Sequence, residues 1–264
     1  MKKNVQPLTR LAEGDVAPYV FLCGDPGRVP RIAAAWTNVR EVCRTREYLA
    51  MSGEYDGVPL TVISTGIGAP STAIVVEEAA NLGARVFMRV GNSGTLAQKV
   101  DIGDYVITTA AVRDDGTSKG YVIPEYPAAA HYEVVSALVK AAKTTAARWH
   151  VGVTWSFDGF YSRNKVVTPE GGVGTMSHGG YSQSGMNNLL ADMQQAGVLN
   201  CEMEAGTILT LASLFGLKAG AICTVSDRTP WPGPSADSLD LDKNMDGCIE
   251  IALAAMLDLA RNGG

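Results

Sequence analysis

Three arginines beside glycine-rich stretches, a close pair of glutamates and a late aspartate are the residues whose types and spacing could do chemistry. Gly24-Asp25-Pro26-Gly27-Arg28 follows the apolar run Tyr19-Val20-Phe21-Leu22-Cys23, and Val29-Pro30-Arg31-Ile32 begins a helix with Pro30 near its first turn. A strand, a tight turn and a helix start aim backbone N–H groups outward, and Arg28 adds a forked donor, so the stretch reads as an anion site. Alone, it is also an ordinary strand-to-helix turn. Thr65-Gly66-Ile67-Gly68 and Arg89-Val90-Gly91-Asn92-Ser93-Gly94 read as further glycine turns at strand ends. Ligands of open α/β sheets collect there, and glycine lets the backbone approach them closely. Together with Arg46 in Arg44-Thr45-Arg46-Glu47-Tyr48, three guanidinium forks and several hydroxyls could surround a dianion. Arg46 alone reads as a solvated surface charge.

Cys201-Glu202-Met203-Glu204 places two carboxylates one residue apart before an apolar helix. Such a pair suits a diol, because each oxygen can accept one hydroxyl hydrogen. The same glutamates also suit the first turn of a helix, where the dipole favours negative charge. Thr224-Val225-Ser226-Asp227-Arg228 ends a late strand, and a buried Asp227 there is a candidate general acid, or else a loop aspartate capping a turn. In Ser156-Phe157-Asp158-Gly159-Phe160-Tyr161, Phe160 could stack on a flat ring or belong to the core.

The elements that must position these residues alternate along the chain. Strands are predicted over 58–64, 85–90, 104–109, 151–155 and 219–225, and helices over 71–82, 131–147, 189–196, 205–215 and 245–260. The alternation predicts an α/β fold, a single domain over residues 1–264 with a central mixed β-sheet flanked by helices. Residues 161–188, rich in Gly, Ser and Asn, and residues 227–240, with Pro230, Pro232 and Pro234, break the pattern and read as binding loops or surface insertions.

Composition narrows the partners. The 264 residues are 46% hydrophobic and 19% charged, which is globular, and a net charge of −5 argues against a nucleic-acid backbone. No apolar run reaches the roughly 18 residues of a membrane span. The start, Met1-Lys2-Lys3-Asn4-Val5-Gln6-Pro7, lacks a signal-peptide apolar core, so a cytoplasmic protein is expected. Cys23, Cys43, Cys201, Cys223 and Cys248 have no metal-like spacing and sit mostly in apolar runs, while His131, His150 and His178 are scattered. No metal site is expected.

Taken in order, these segments resemble the hexameric nucleoside phosphorylases, the group that includes bacterial uridine phosphorylase and trimer-of-dimers purine nucleoside phosphorylase. The resemblance spans about residues 16–260 and rests on GDPGR at 24–28, REY at 46–48, STGIGAPST at 64–72, RVGNSG at 89–94, SFDGFY at 156–161, EME at 202–204 and TVSD at 224–227. It implies a nucleoside phosphorylase-like fold and a reaction in which inorganic phosphate, a co-substrate, attacks the anomeric carbon of a nucleoside with no cofactor. By resemblance, Gly24, Arg28, Arg46, Arg89 and Asn92 or Ser93 hold phosphate, and Glu204 grips the ribose hydroxyls over Met203. Phe160 stacks on the base and Glu202 lines its side, with Arg89 and Asp227 catalytic. Uridine phosphorylases usually carry a Gln and Arg pair shortly after the FY. Here Ser162-Arg163-Asn164-Lys165 follows Tyr161, and Arg163 is a loose substitute. TVSD is similar to the purine branch, where the aspartate protonates the leaving base, with Arg228 placed to help set its charge. The resulting expectation leans to purine nucleosides, with uridine as the alternative. A homo-oligomer, dimer-based and hexameric, is implied, with Arg46 reaching a neighbour. The N-terminal histidine with which the group usually contacts the ribose 5′-hydroxyl across a subunit boundary is absent; either Gln6 replaces it or the 5′ group is read loosely. Hydrolytic relatives and a non-catalytic nucleoside-binding relative are the remaining alternatives.

Overall fold

The structure, a computed structural model, describes residues 4–186, 188–233 and 239–262; residues 1–3, Asn187, 234–238, which include Pro234, and the two terminal glycines lie outside the described residues. Apolar, β-branched runs form the strands. β1 (Tyr19–Cys23) is flanked in parallel by β4 (Val58–Ser64) and β5 (Val86–Thr95), and β12 (Lys218–Arg228) lies parallel on the far side of β5. β2 (Thr37–Thr45) and β3 (Tyr48–Tyr55) extend the sheet antiparallel beyond β4. On the other side β6 (Tyr105–Asp114) runs antiparallel to β12, with β8 (Trp149–Phe157) parallel to β6 and β11 (Asn200–Glu202) parallel to β8. The two-residue β7 (Ala128–Ala129) pairs with β6. The sheet is therefore mixed. β11 also pairs antiparallel with β5, matching Asn200 to Thr95 and Cys201 to Gly94, so β5, β12, β6, β8 and β11 close into a ring.

Helices cover both faces. α1 (Arg28–Ile32), α3 (Tyr132–Ala142) and α7 (Met245–Asn262) bury Ile32, Leu138, Ile249 and Met256 against Phe21, Met88 and Ile222. α2 (Ala69–Asn81) and α6 (Ala205–Leu214) pack Val75, Val76, Ile208 and Leu209 against Leu22, Ile63 and Phe87. Every strand residue from Val20 to Cys23 is buried, as a parallel strand covered on both faces requires. The predicted α/β architecture is the one observed.

Three local expectations change. The RVGNSG stretch is not a turn, because β5 runs through it to Thr95. Its glycines serve close approach instead. A Cβ on Gly91 would stand 2.8 Å from the Arg89 guanidinium carbon, and one on Gly94 would stand 2.6 Å from an Asp227 carboxylate oxygen. The β2–β3 hairpin, with exposed and irregular register, has no clear period in its sequence. Within 161–188, α4 (Phe160–Arg163), the hairpin of β9 (Lys165–Val167) with β10 (Val173–Thr175), and α5 (Leu189–Gln195) just beyond it replace a simple loop. All five cysteines are buried free thiols. His131 accepts from the Glu133 amide at the start of α3, and His150 meets Asp104 at 2.8 Å, so both serve local structure.

Candidate active site

The site is built around Arg89, near the middle of β5. Its guanidinium folds back over Gly91, and it is 4% exposed. Nη2 lies 2.6 Å from Glu204 Oε2 and Nε lies 2.8 Å from Glu202 Oε2. The Nε–H does not aim along that second contact, so Nε remains a buried donor without an aligned acceptor, and Glu202 Oε1 a buried acceptor without a donor among the described residues. Burial opposes the Arg89 charge, but Glu204 and Glu202 outweigh it and hold the group firmly protonated. Burial also leads the influences on Glu204. With repulsion from Glu202, it pushes the carboxyl above the usual range against attraction from Arg89.

Both glutamates are placed by the junction of β11 and α6. Glu202 ends the strand, and its Oε2 accepts from the amides of Glu204 and Ala205, both at 2.9 Å. It thus caps the helix start, as the dipole reading of this pair expects, while facing Arg89. Glu204 sits at the N-cap of α6, and its Oε1 accepts from the Gly68 amide at 2.6 Å. Gly66 and Gly68 adopt φ of +70° and +93°, the left-handed region that glycine tolerates, and thereby turn β4 into α2 with that amide aimed at Glu204. Beneath the helix start, the fully buried Asp115 accepts from Ser118 and Thr207, and Ser156 accepts from the Gly206 amide. These supports carry no recognisable motif in the sequence.

Arg28 begins α1 directly after the GDPG turn, is buried, and donates to the Asn92 side-chain oxygen. Asn92 in turn donates to the Leu241 carbonyl at 2.7 Å. Ser93 is buried and donates to the Thr224 carbonyl at 3.3 Å. Gly24 lies close to Gly66, since a Cβ there would meet the Gly66 carbonyl oxygen at 3.4 Å. The GDPG turn, the TGIG turn and Arg89 are therefore neighbours. Arg46 is different. It tips the β2–β3 hairpin at φ +52° and is exposed, and it makes no ion pair among the described residues. The adjoining Glu47 packs against Gly66.

Asp227 pairs with Gly94 across a bulge in β12 and is 7% exposed. Burial raises its carboxyl above the ordinary aspartate range, against a 2.9 Å hydrogen bond from Ser226. Arg228 does not share in this. It points away, donating to the carbonyls of Val100 at 2.7 Å and Ala97 at 3.2 Å, because alternate strand residues face opposite sides. Phe160 and Trp231 meet edge to face, with centroids 6.0 Å apart. Trp231 escaped the sequence reading, although an aromatic set between Pro230 and Pro232 is a signal of a fixed ring. Met203 is half-buried against the cluster of Leu96, Trp155, Phe157 and Leu190. Arg163 is held by Asp114, which accepts from its Nε at 2.6 Å and its Nη2 at 3.2 Å. Gln6 accepts from Asn81 at the far end of α2 from Gly68, away from Arg89 of its own chain.

The arrangement can therefore present guanidinium and backbone donors to an anion, carboxylate acceptors to hydroxyls, and aromatic edges to a flat ring. Among the described residues no cluster of three or more His, Cys, Asp or Glu could hold a metal ion, and no helix is long and apolar enough to cross a membrane.

Residues 18–260 match the profile of the Phosphorylase superfamily. Uridine phosphorylase of Thermococcus kodakarensis is 50% identical over 80% of this chain and 73% of its own length. Guanosine phosphorylase of Halorubrum lacusprofundi is 40% identical over 96% of this chain and 99% of its own. Uridine phosphorylase of Escherichia coli is 40% identical over 84% of this chain and 85% of its own. Among solved structures, uridine phosphorylase of Vibrio fischeri superposes with a TM-score of 0.81 at 30% identity, covering 97% of each chain. Fold, site and relatives agree that the chain belongs to the Phosphorylase superfamily and, within it, to the nucleoside phosphorylases.

Proposed function

We propose that the chain cleaves oxo-nucleosides, uridine first, with inorganic phosphate as co-substrate and no cofactor. The observation that carries the reading is the buried Arg89 between Glu202 and Glu204, with one donor and one acceptor left unmatched beside the GDPG turn. Buried polar atoms without partners mark where substrate groups bond. In this reading Gly24, Arg28, Arg89 and Asn92 or Ser93 carry phosphate, and Glu204 with Met203 takes the ribose. Phosphate oxygen forms a bond to C1′ as the C1′–N bond breaks with its pair going to the base. The transition state places positive charge on the ribose, and the phosphate and Glu204 stabilise it. Arg89 and Arg28 are already matched in charge by Glu202 and Glu204. A dianion therefore calls for a further cation, which the exposed Arg46 of a second copy would supply in a dimer-based, hexameric assembly.

The similarity to uridine phosphorylases weighs against the purine-first expectation that TVSD raised. Guanosine is the second reading, favoured by the buried Asp227 and by the guanosine phosphorylase that aligns along nearly the whole chain. Uracil and guanine share a carbonyl next to a ring N–H, which unites both readings. The test is phosphate-dependent release of base from uridine, guanosine, adenosine and cytidine. Cleavage of uridine above guanosine, with little on adenosine or cytidine, is expected. Equal cleavage without phosphate would place the activity with the hydrolases.

A further inference from the structure

A cavity of about 780 Å³ lies between the β9–β10 hairpin and α5, lined by Lys165, Thr175, Asn188, Leu190, Gln194 and Pro230. Lys165 is 6% exposed, yet among the described residues no carboxylate and no hydrogen-bond acceptor meets its ammonium. Only its backbone is bonded, to Trp231 at 2.7 Å and to Thr229 at 3.3 Å. The stem of Lys165 is buried while its ammonium opens onto the cavity with no carboxylate beside it, which places a positive charge to meet a ligand group entering there. The cavity's other polar side chains, Thr175, Ser182, Asn188 and Gln194, are neutral, and Leu190 and Pro230 are apolar. One cation among neutral and apolar walls suits a single electron-rich oxygen on a flat ring better than a phosphate, which takes several cations or amides. The position agrees. Trp231, to whose backbone Lys165 is bonded, presents its ring to Phe160. Leu190 belongs to the cluster that carries Met203.

We infer that Lys165 is a specificity-determining residue that donates to the exocyclic carbonyl oxygen of the base, O4 of uracil or O6 of guanine. The inference rests on the oxo-nucleoside reading and deepens it. As the C1′–N bond breaks, its electron pair moves into the ring and negative charge collects on that oxygen, where the ammonium holds it. The base then takes its proton from the hydrogen phosphate that became the ester, so atoms and charge balance. The preference against amino bases follows, because an exocyclic NH₂ group presents donors to a donor.

The test measures kcat/KM for phosphorolysis of uridine and 4-thiouridine by the wild type, Lys165→Met and Lys165→Arg. A hydrogen bond to a charged donor predicts a loss of about 10- to 100-fold on uridine in Lys165→Met. The KM for phosphate stays unchanged, the wild type's preference for uridine over 4-thiouridine collapses, and Lys165→Arg recovers part of the activity. Uridine cleavage by Lys165→Met at the wild-type rate, or loss of turnover with the oxygen–sulfur preference intact, overturns the role of Lys165 and leaves the phosphorylase reading standing. If Lys165→Met does not fold, Lys165→Gln gives the same comparison. A wild type inactive on every nucleoside with phosphate overturns both.

Discussion

Replacing Arg89 by Met removes the one cation between two buried carboxylates while keeping most of the side-chain volume. Glu202 and Glu204 have side chains only 1% and 6% exposed, and their oxygens approach Arg89 to 2.8 and 2.6 Å. Breaking a buried ion pair by removing one partner costs about 3–5 kcal/mol, because the other partner stays charged and unmatched. For a chain of this size about 1 kcal/mol moves Tm by roughly 2–4 °C, so Arg89→Met is expected to lower it by about 6–20 °C at pH 8. The pH dependence has a definite sign. Without the cation, burial and mutual repulsion raise the folded-state pKa of the carboxylates above their unfolded values. Stability is then fully present below the unfolded pKa and lost as pH rises through the folded one. The deficit should therefore be large at pH 8 and shrink towards pH 5. Differential scanning calorimetry at both pH values checks this, beside a phosphate-dependent cleavage assay in which Arg89→Met is expected to lose nearly all turnover. A Tm within about 2 °C of wild type at pH 8, or near-normal turnover, would refute the central place given to Arg89.

The raised carboxyl of Asp227 sets a second expectation: its cost is felt above its folded pKa, so Asp227→Asn should gain in Tm relative to wild type as pH rises from 4 to 8, and a constant difference would show that Asp227 is not desolvated. The same variant should lose far more guanosine cleavage than uridine cleavage, and equal loss removes the role of Asp227 as acid to a purine. Gly91→Ala sets a methyl group about 2.8 Å from the Arg89 guanidinium, so activity should fall at least tenfold with a folded circular dichroism spectrum, and full activity would mean that Arg89 need not lie over Gly91. Mixing inactive Arg46→Ala with inactive Arg89→Ala after reversible dissociation should restore about a quarter of wild-type activity if Arg46 acts across a two-fold interface, while no recovery places its action within one chain.

Much of this was legible because the physics is local. The apolar runs of β1, β4 and β12 and the periodic faces of α2, α6 and α7 each carry their period in a short window, and their bounds shifted by only a few residues. The GDPG turn and the Glu202–Glu204 pair announce themselves by residue type alone. What was not legible depends on contacts distant in sequence. Gly91 and Gly94 look like turn residues until Arg89 and Asp227 are seen pressed against them. Arg163 looks like a free base reader until Asp114, 49 residues away, is found holding it. Arg228 looks like a partner of Asp227 until the alternation of β12 turns it to Val100. Trp231 and Lys165 are brought together only by the bridge between Val166 and Trp231, which sets β9 beside the proline-rich segment.

The closure of β11 onto both β8 and β5 has an evolutionary consequence. It ties the glutamate pair to the same strand that bears Arg89, so these three residues form one braced unit whose internal spacing is set by strand pairing. Phe160, Lys165 and Trp231, which the proposed reading sets near the base, sit elsewhere, on the short helix α4, the small β9–β10 sheet and the segment after β12. Mutations can accumulate in those outer pieces without loosening the braced unit. A lineage built this way can trade one nucleobase for another while its bond-breaking chemistry stays fixed, in keeping with a uridine phosphorylase and a guanosine phosphorylase each 40% identical to this chain.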